Sequence, residues 1–186
     1  MLTIVEYERN EKIFKKANSD YNIFTKELEE FLGEDFYISP ATSSLSMFGC
    51  YPGGLVRHLI TVCKYAVKVN EILPESLKQP VKSIMRIVFL SQIGKVFMFN
   101  LNTSPSPNKP YDFNDDIVRM QVGERSIYYA LKYGVELTEE ECQAILNIGK
   151  GDDDKQAKYF SAPLTQVIKT GFELAIMEEK NEQRKG

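Results

Sequence analysis

Apolar positions recur at helical spacing along almost the whole of this 186-residue chain. Ile4, Val5, Tyr7, Ile13 and Phe14 punctuate a charged stretch and predict a weakly amphipathic helix over 4–17. Asn18, Ser19 and Asp20 offer an N-cap for a second helix, where Ile23, Phe24, Leu28 and Leu32 share a face and Gly33 ends the run. Pro40, Gly49, Pro52 and a series of Ser and Thr make 34–52 mainly loop. Gly53-Gly54 opens a stronger helix through Leu55, Leu59, Val62, Cys63 and Ala66, which continues to about Leu73 and stops at Pro74. From Pro80, the stretch 81–99 is apolar nearly all round, which places it at the centre of a bundle.

Pro105, Pro107 and Pro110 make 100–113 a structureless loop by expectation, because each fixes φ and removes a donor. A helix is expected over 114–133, with Asp115-Asp116 favouring its N-terminus, before Gly134. A capping box, Thr138 with Glu141, starts a short helix that ends near Ile148. The last helix spans about 162–179, followed by a frayed polar tail. The pattern predicts an all-α protein: a single bundle of about seven helices without strands. Its parts are an N-terminal helical extension (1–35), a main domain (36–178) and a polar tail (179–186).

Composition narrows the function classes. Net charge is −3, which argues against non-specific nucleic-acid or anionic-lipid partners. Three widely spaced cysteines, Cys50, Cys63 and Cys142, exclude a disulfide framework and a zinc knuckle, and Cys63 reads as a core residue. Charge comes too early at the N-terminus for a signal peptide, and no apolar run approaches the ~20 residues that span a bilayer. The expected location is cytoplasmic, or outside the cell only inside a larger particle such as a virion.

His58 is the only histidine. It lies in Pro52-Gly-Gly-Leu-Val-Arg-His58, after Pro40-Ala-Thr-Ser-Ser-Leu-Ser-Met-Phe-Gly49 and before Phe89-Leu-Ser-Gln-Ile-Gly-Lys95, Gly123-Glu-Arg-Ser126 and Leu137-Thr-Glu-Glu-Glu-Cys-Gln-Ala-Ile145. Together, in this order, these motifs resemble those of the HD-domain superfamily, all-helical metal-dependent phosphohydrolases, and most closely a bacterial and phage subgroup. The resemblance covers about 36–178. It implies that His58 stands at the first metal histidine, Ser91 and Gln92 at the His-Asp pair, and Gly171 near the closing aspartate. The accessory histidine positions fall on Phe48, Val122 and about Ile148.

One imidazole with neutral oxygens from Ser91 and Gln92 is a poor donor set for a divalent cation, because no carboxylate offsets the desolvation of the ion. No catalytic metal or other cofactor is therefore expected, and the apolar accessory positions suggest a pocket filled in. His58 is then a residual ligand or base, or a helix residue satisfied by backbone or by Gln92. Lys95 and Arg125 are candidate anion-binding residues, or pair with Glu124 and cap helix ends. Asp112, Asp115-Asp116 and Asp152–Asp154 lack calcium-loop spacing and read as solvated. Cys50 as a nucleophile would need His58 as its base.

Three functions remain open. The first is a catalytically inactive structural or protein-interaction component, of a phage particle in one version, with protein partners or a homo-oligomer. The second is a metal-free module that binds a nucleotide or another phosphate ligand. The third is a residual phosphohydrolase with ligands from elsewhere.

Overall fold

The computed structural model describes residues 3–106, 108–148 and 161–185. Among them are seven α-helices and one two-stranded hairpin. The helices are α1 (Ile4–Tyr21), α2 (Lys26–Ile38), α3 (Gly54–Glu71), α4 (Val81–Leu90), α5 (Val122–Lys132), α6 (Glu139–Asn147) and α7 (Pro163–Lys185). None is long and apolar enough to cross a membrane.

The helical spacing of apolar residues identifies the core correctly. Phe14 of α1, Leu28, Leu32 and Phe36 of α2, Leu59 and Val62 of α3 and Ile87 and Phe89 of α4 belong to one buried cluster. Phe14 is its aromatic hub, with ring centroids 4.8–5.0 Å from Phe24, Phe36 and Phe89. The two N-terminal helices thus share the core of the main bundle.

Several element boundaries differ from the expectation, each for a local reason. The helix expected to end at residue 17 continues to Tyr21, and Asn18 sits inside it. The cap of α2 is Thr25, whose hydroxyl accepts from Leu28 N (3.2 Å) and donates to the carbonyl of Tyr133 (2.6 Å). Asn18 still serves the turn between the helices: its Oδ1 accepts from Phe24 N (2.7 Å) and its Nδ2 donates to Glu29 (2.8 Å). Asn18→Ala leaves a buried N–H without its acceptor and is expected to cost ~1–3 kcal/mol, read as a lower urea midpoint at unchanged slope. Gly33 takes φ 49° and kinks α2 without ending it, so the helix reaches Ile38.

The central apolar helix is shorter than expected. It ends at Leu90, where the Ser91 hydroxyl donates to Val88 O (2.8 Å). A 3-10 turn, Ile93–Lys95, follows.

The proline-rich stretch is a hairpin, not a structureless loop. Its strands, β1 (Phe99–Ser106) and β2 (Lys109–Phe113), pair antiparallel with Phe99 opposite Phe113 and a bulge between Leu101 and Ser106. In a two-strand ribbon each strand has an open edge, so proline costs no ladder bond when its nitrogen faces outward or lies in a bulge. After it, Asn114 replaces the expected helix start with an Asx turn: its Oδ1 accepts from Asp116 N (3.1 Å) and its Nδ2 donates to Phe97 O (2.9 Å). Thus α5 begins only at Val122.

The capping box of α6 forms as expected, with Glu141 N on Thr138 Oγ1 and Thr138 N on Glu141 Oε2. The expected frayed tail is helical to Lys185. Antiparallel α3 and α7 form the most extensive helix pair, laced by Arg57–Glu182 (3.0 Å) and Lys64–Glu178 (2.9 Å).

Candidate functional site

A cavity of about 600 Å³ opens where the turn after α4, the start of α5, the end of α6 and the middle of α7 face α3. Its wall includes His58, Gln92 and Lys95, and also Phe48, Val122 and Ile148. Six positions scattered from 48 to 148 along the chain thus meet on one surface. The expectation of a filled pocket does not hold: these apolar side chains line the walls and leave the space open.

The loop before α3 is held close to it. A Cβ on Gly54 would lie 2.1 Å from the Gly49 carbonyl oxygen, so the glycine pair lets the loop return and lay Phe48 over His58. The ring centroids of Phe48 and Phe172 lie 4.4 and 5.4 Å from the imidazole.

His58 is 1% exposed, and its Nδ1–H donates to Glu179 Oε2 at 2.9 Å. Its Nε2 is buried and has no hydrogen-bond partner among the described residues. Burial pushes the imidazole pKa below its ordinary value, and the Glu179 carboxylate opposes that shift. The satisfying partner is neither backbone nor Gln92, the two that sequence suggested.

Glu179 is the residue that sequence reasoning missed, since it falls in the stretch taken as polar tail. A signal existed. Ile168, Phe172, Ala175 and Glu179 follow one another by four, three and four residues, so Glu179 continues the buried face of α7. Lys169 and Glu173, also on the wall, gave no such signal.

Lys95 is half-buried, and its ammonium donates to the Ala41 carbonyl at 2.8 Å. Burial lowers its pKa to about 8, with Glu179 acting in the opposite direction. Arg125 lies elsewhere. It is 2% exposed and donates to the carbonyls of Gly94 (3.3 Å) and Val118. Ser126 donates to Ser91 O and accepts from Gly94 N, both at 2.9 Å. The buried Arg125-Ser126 pair therefore clamps the turn that presents Gln92 and Lys95.

The donor set does not fit the metal of the resembled family. Ser91 is fully buried with its hydroxyl spent on Val88. Gly171 is packed on Ala66, where a Cβ would meet backbone nitrogen at 2.9 Å. Of the positions matched to that family's ligands, only His58 and the Gln92 amide remain on the wall, with the cationic Lys95. Among the described residues no group of three or more His, Cys, Asp and Glu could hold a metal.

Asp112 pairs with Lys109 on the hairpin (2.8 Å), and Asp152–Asp154 lie outside the described residues. Cys50 is buried, with its thiol pKa raised by that burial, the opposite of what a thiolate nucleophile needs.

No protein-family model, curated protein or solved structure matches this chain.

Proposed function

We propose that this chain is a degenerate HD-type helical domain that binds a small phosphate-bearing ligand without metal and does not hydrolyse it. The observation that carries the proposal is the open cavity with a sheltered lysine, Lys95, on a wall that His58 also lines. A cavity of this volume lies in the ordinary small-molecule range, ~300–1,000 Å³. Holding Lys95 there costs stability, since burial disfavours its charge. A binding role accounts for keeping it.

Thermal unfolding with phosphate monoesters at millimolar concentration tests this. Saturable stabilisation is expected, because a ligand at 100 times its Kd contributes ~2.7 kcal/mol. Lys95→Met is expected to abolish that response while making the unliganded protein more stable by ~1–3 kcal/mol, since it removes a partly buried charge without a carboxylate contact. Ester hydrolysis dependent on Mn²⁺ and lost in His58→Ala would overturn the proposal.

A second reading is a protein-interaction component, cytoplasmic or virion-borne. It is favoured by Ile4 and Val5, 78% and 74% exposed on the first turn of α1. Light scattering of the full chain and of an Ile4→Ser/Val5→Ser variant tests it: an oligomer that the variant dissolves supports the reading, and two monomers remove it.

A further inference from the structure

We infer that the hairpin of α1 and α2 is the surface through which two copies of this chain associate, with the basic ridge of each α1 seated on the acidic ridge of the other copy's α2. This rests on the interaction reading above, supplies its partner, and holds whether or not the cavity takes a ligand.

Burial of one face of each helix decides what the other face shows. In α1 the buried residues are Phe14, Ala17 and Asn18. Val5, Arg9, Lys12 and Lys16 follow one another by four, three and four residues and share the opposite face, where all four are exposed. With Glu8 and Ile13 they line one shallow groove along the helix. In α2 the buried residues are Leu28, Leu32 and Phe36, while Glu27, Glu30 and Glu34 are exposed. Gly33 kinks the helix just before Glu34, which stays on the outside. Ile38, 48% exposed, ends this ridge.

The two ridges carry opposite charge. Arg9, Lys12 and Lys16 against Glu8 leave +2 on α1; Glu27, Glu30 and Glu34 against Lys26 leave −2 on α2. Among the described residues, Arg9, Lys12 and Lys16 form no ion pair. Of the three glutamates only Glu30 does, in an exposed contact with Lys26 at 3.7 Å that contributes little. Most of the charge on both ridges is thus unspent within one copy.

The helices run antiparallel across the same core. Asn18, late in α1, donates to Glu29, early in α2, and Phe14 meets Phe36 and Tyr37 near the end of α2. A two-fold axis along the hairpin therefore lays each α1 on the other copy's α2, again antiparallel, and repeats every contact. One alignment sets Val5 against Ile38, Arg9 against Glu34, Lys12 against Glu30 and Lys16 against Glu27 of the second copy, with spacings that agree to within one residue. Ile4, Val5 and Ile38, all exposed in the single chain, close one end with an apolar contact. Two α1 ridges laid together would set like charges face to face. A nucleic acid or an anionic bilayer drawn to α1 would meet the glutamates of α2 beside it. The hairpin is complementary to itself, which neither of those partners is to it.

Charge reversal tests this, read by sedimentation velocity of the full chain at rising concentration. The wild type is expected to exchange between monomer and dimer in the micromolar range, because the surface is small and rich in charge. Arg9→Glu/Lys12→Glu/Lys16→Glu and Glu27→Lys/Glu30→Lys/Glu34→Lys are each expected to weaken the dimer at least about tenfold, since each sets like charges together. All six positions are exposed, so neither variant touches the core. Mixed in equal amounts, the two variants are expected to form a heterodimer, and a chain carrying all six reversals to dimerise again. Misfolding or an interface elsewhere gives neither restoration. A wild-type dimer that both variants keep, or one that neither the mixture nor the six-fold variant restores, overturns the inference and leaves the interaction reading to another surface. A wild type that is monomeric at every concentration removes both.

Discussion

Gly171→Asp, which places a carboxylate near where the resembled family carries one, is expected to destabilise the protein by ~4 kcal/mol or more and to gain no metal. The reason is the spacing of α3 and α7. A Cβ at Gly171 would lie 2.8 Å from the Ala66 Cβ, 2.9 Å from its nitrogen and 3.0 Å from its Cα. Two of these three are backbone atoms of a helix and cannot swing aside. Overpacking of this kind costs ~1–3 kcal/mol, and a carboxylate buried without a partner adds several more. The gain from replacing a helical glycine is below ~1 kcal/mol. Gly171→Ala, which adds the clash without the charge, should lose ~1–3 kcal/mol in urea denaturation. A loss under ~1 kcal/mol in Gly171→Asp, or retention of Mn²⁺ by that variant, would show that the helix pair can spread and that the metal site is one substitution away. The expected result says the reverse: α3 and α7 pack too closely at Gly171 to admit a carboxylate there.

How far the sequence could be read depends on what each feature rests on. Helices with a one-sided apolar period were legible, because burial on one face is written residue by residue; α3 and α6 start where their patterns begin. Boundaries set by a single side chain were not. Asn18 looks like a cap but works from inside α1, and Asn114 makes an Asx turn where acidic residues suggested a helix start. The hairpin was hidden because prolines argue against strands in general, and only the edge position of each strand makes them harmless. At the site, the motifs brought His58, Gln92 and Lys95 to one wall, yet they could not show whether the space between them was empty. The apolar side chains of Phe48, Val122 and Ile148 line the wall without closing the space. Glu179 was missed for a different reason: a charged residue near the C-terminus reads as solvated unless the buried period of α7 is followed through it.

The His58–Glu179 pair should be the most strongly coupled contact in the cavity wall. Glu179→Leu removes the acceptor from a buried Nδ1–H and is expected to cost ~2–4 kcal/mol. His58→Phe retains the ring packing between Phe48 and Phe172 but leaves the Glu179 carboxylate, 8% exposed, without its donor, and should cost ~1–3 kcal/mol. The double variant places two apolar groups together and should lose less than the sum, with a coupling of ~1–3 kcal/mol. The pair also predicts a pH dependence. Burial holds the folded imidazole below its unfolded value of about 6.5, so its contribution to stability is complete above that pH. As pH falls below 6.5, the unfolded chain takes up the proton first, and stability is lost until the depressed folded pKa is passed. Lys95, lowered to about 8, begins to lose its proton only at the upper end of the range from pH 5 to 7.5 and is common to the wild type and His58→Phe, so its slope cancels in the comparison. The wild type should therefore lose its advantage over His58→Phe between pH 7.5 and pH 5 in urea midpoints measured at matched ionic strength. A gap that stays constant over that range would mean that His58 is as easily protonated in the folded protein as in the unfolded chain, and that burial does not hold its ring neutral.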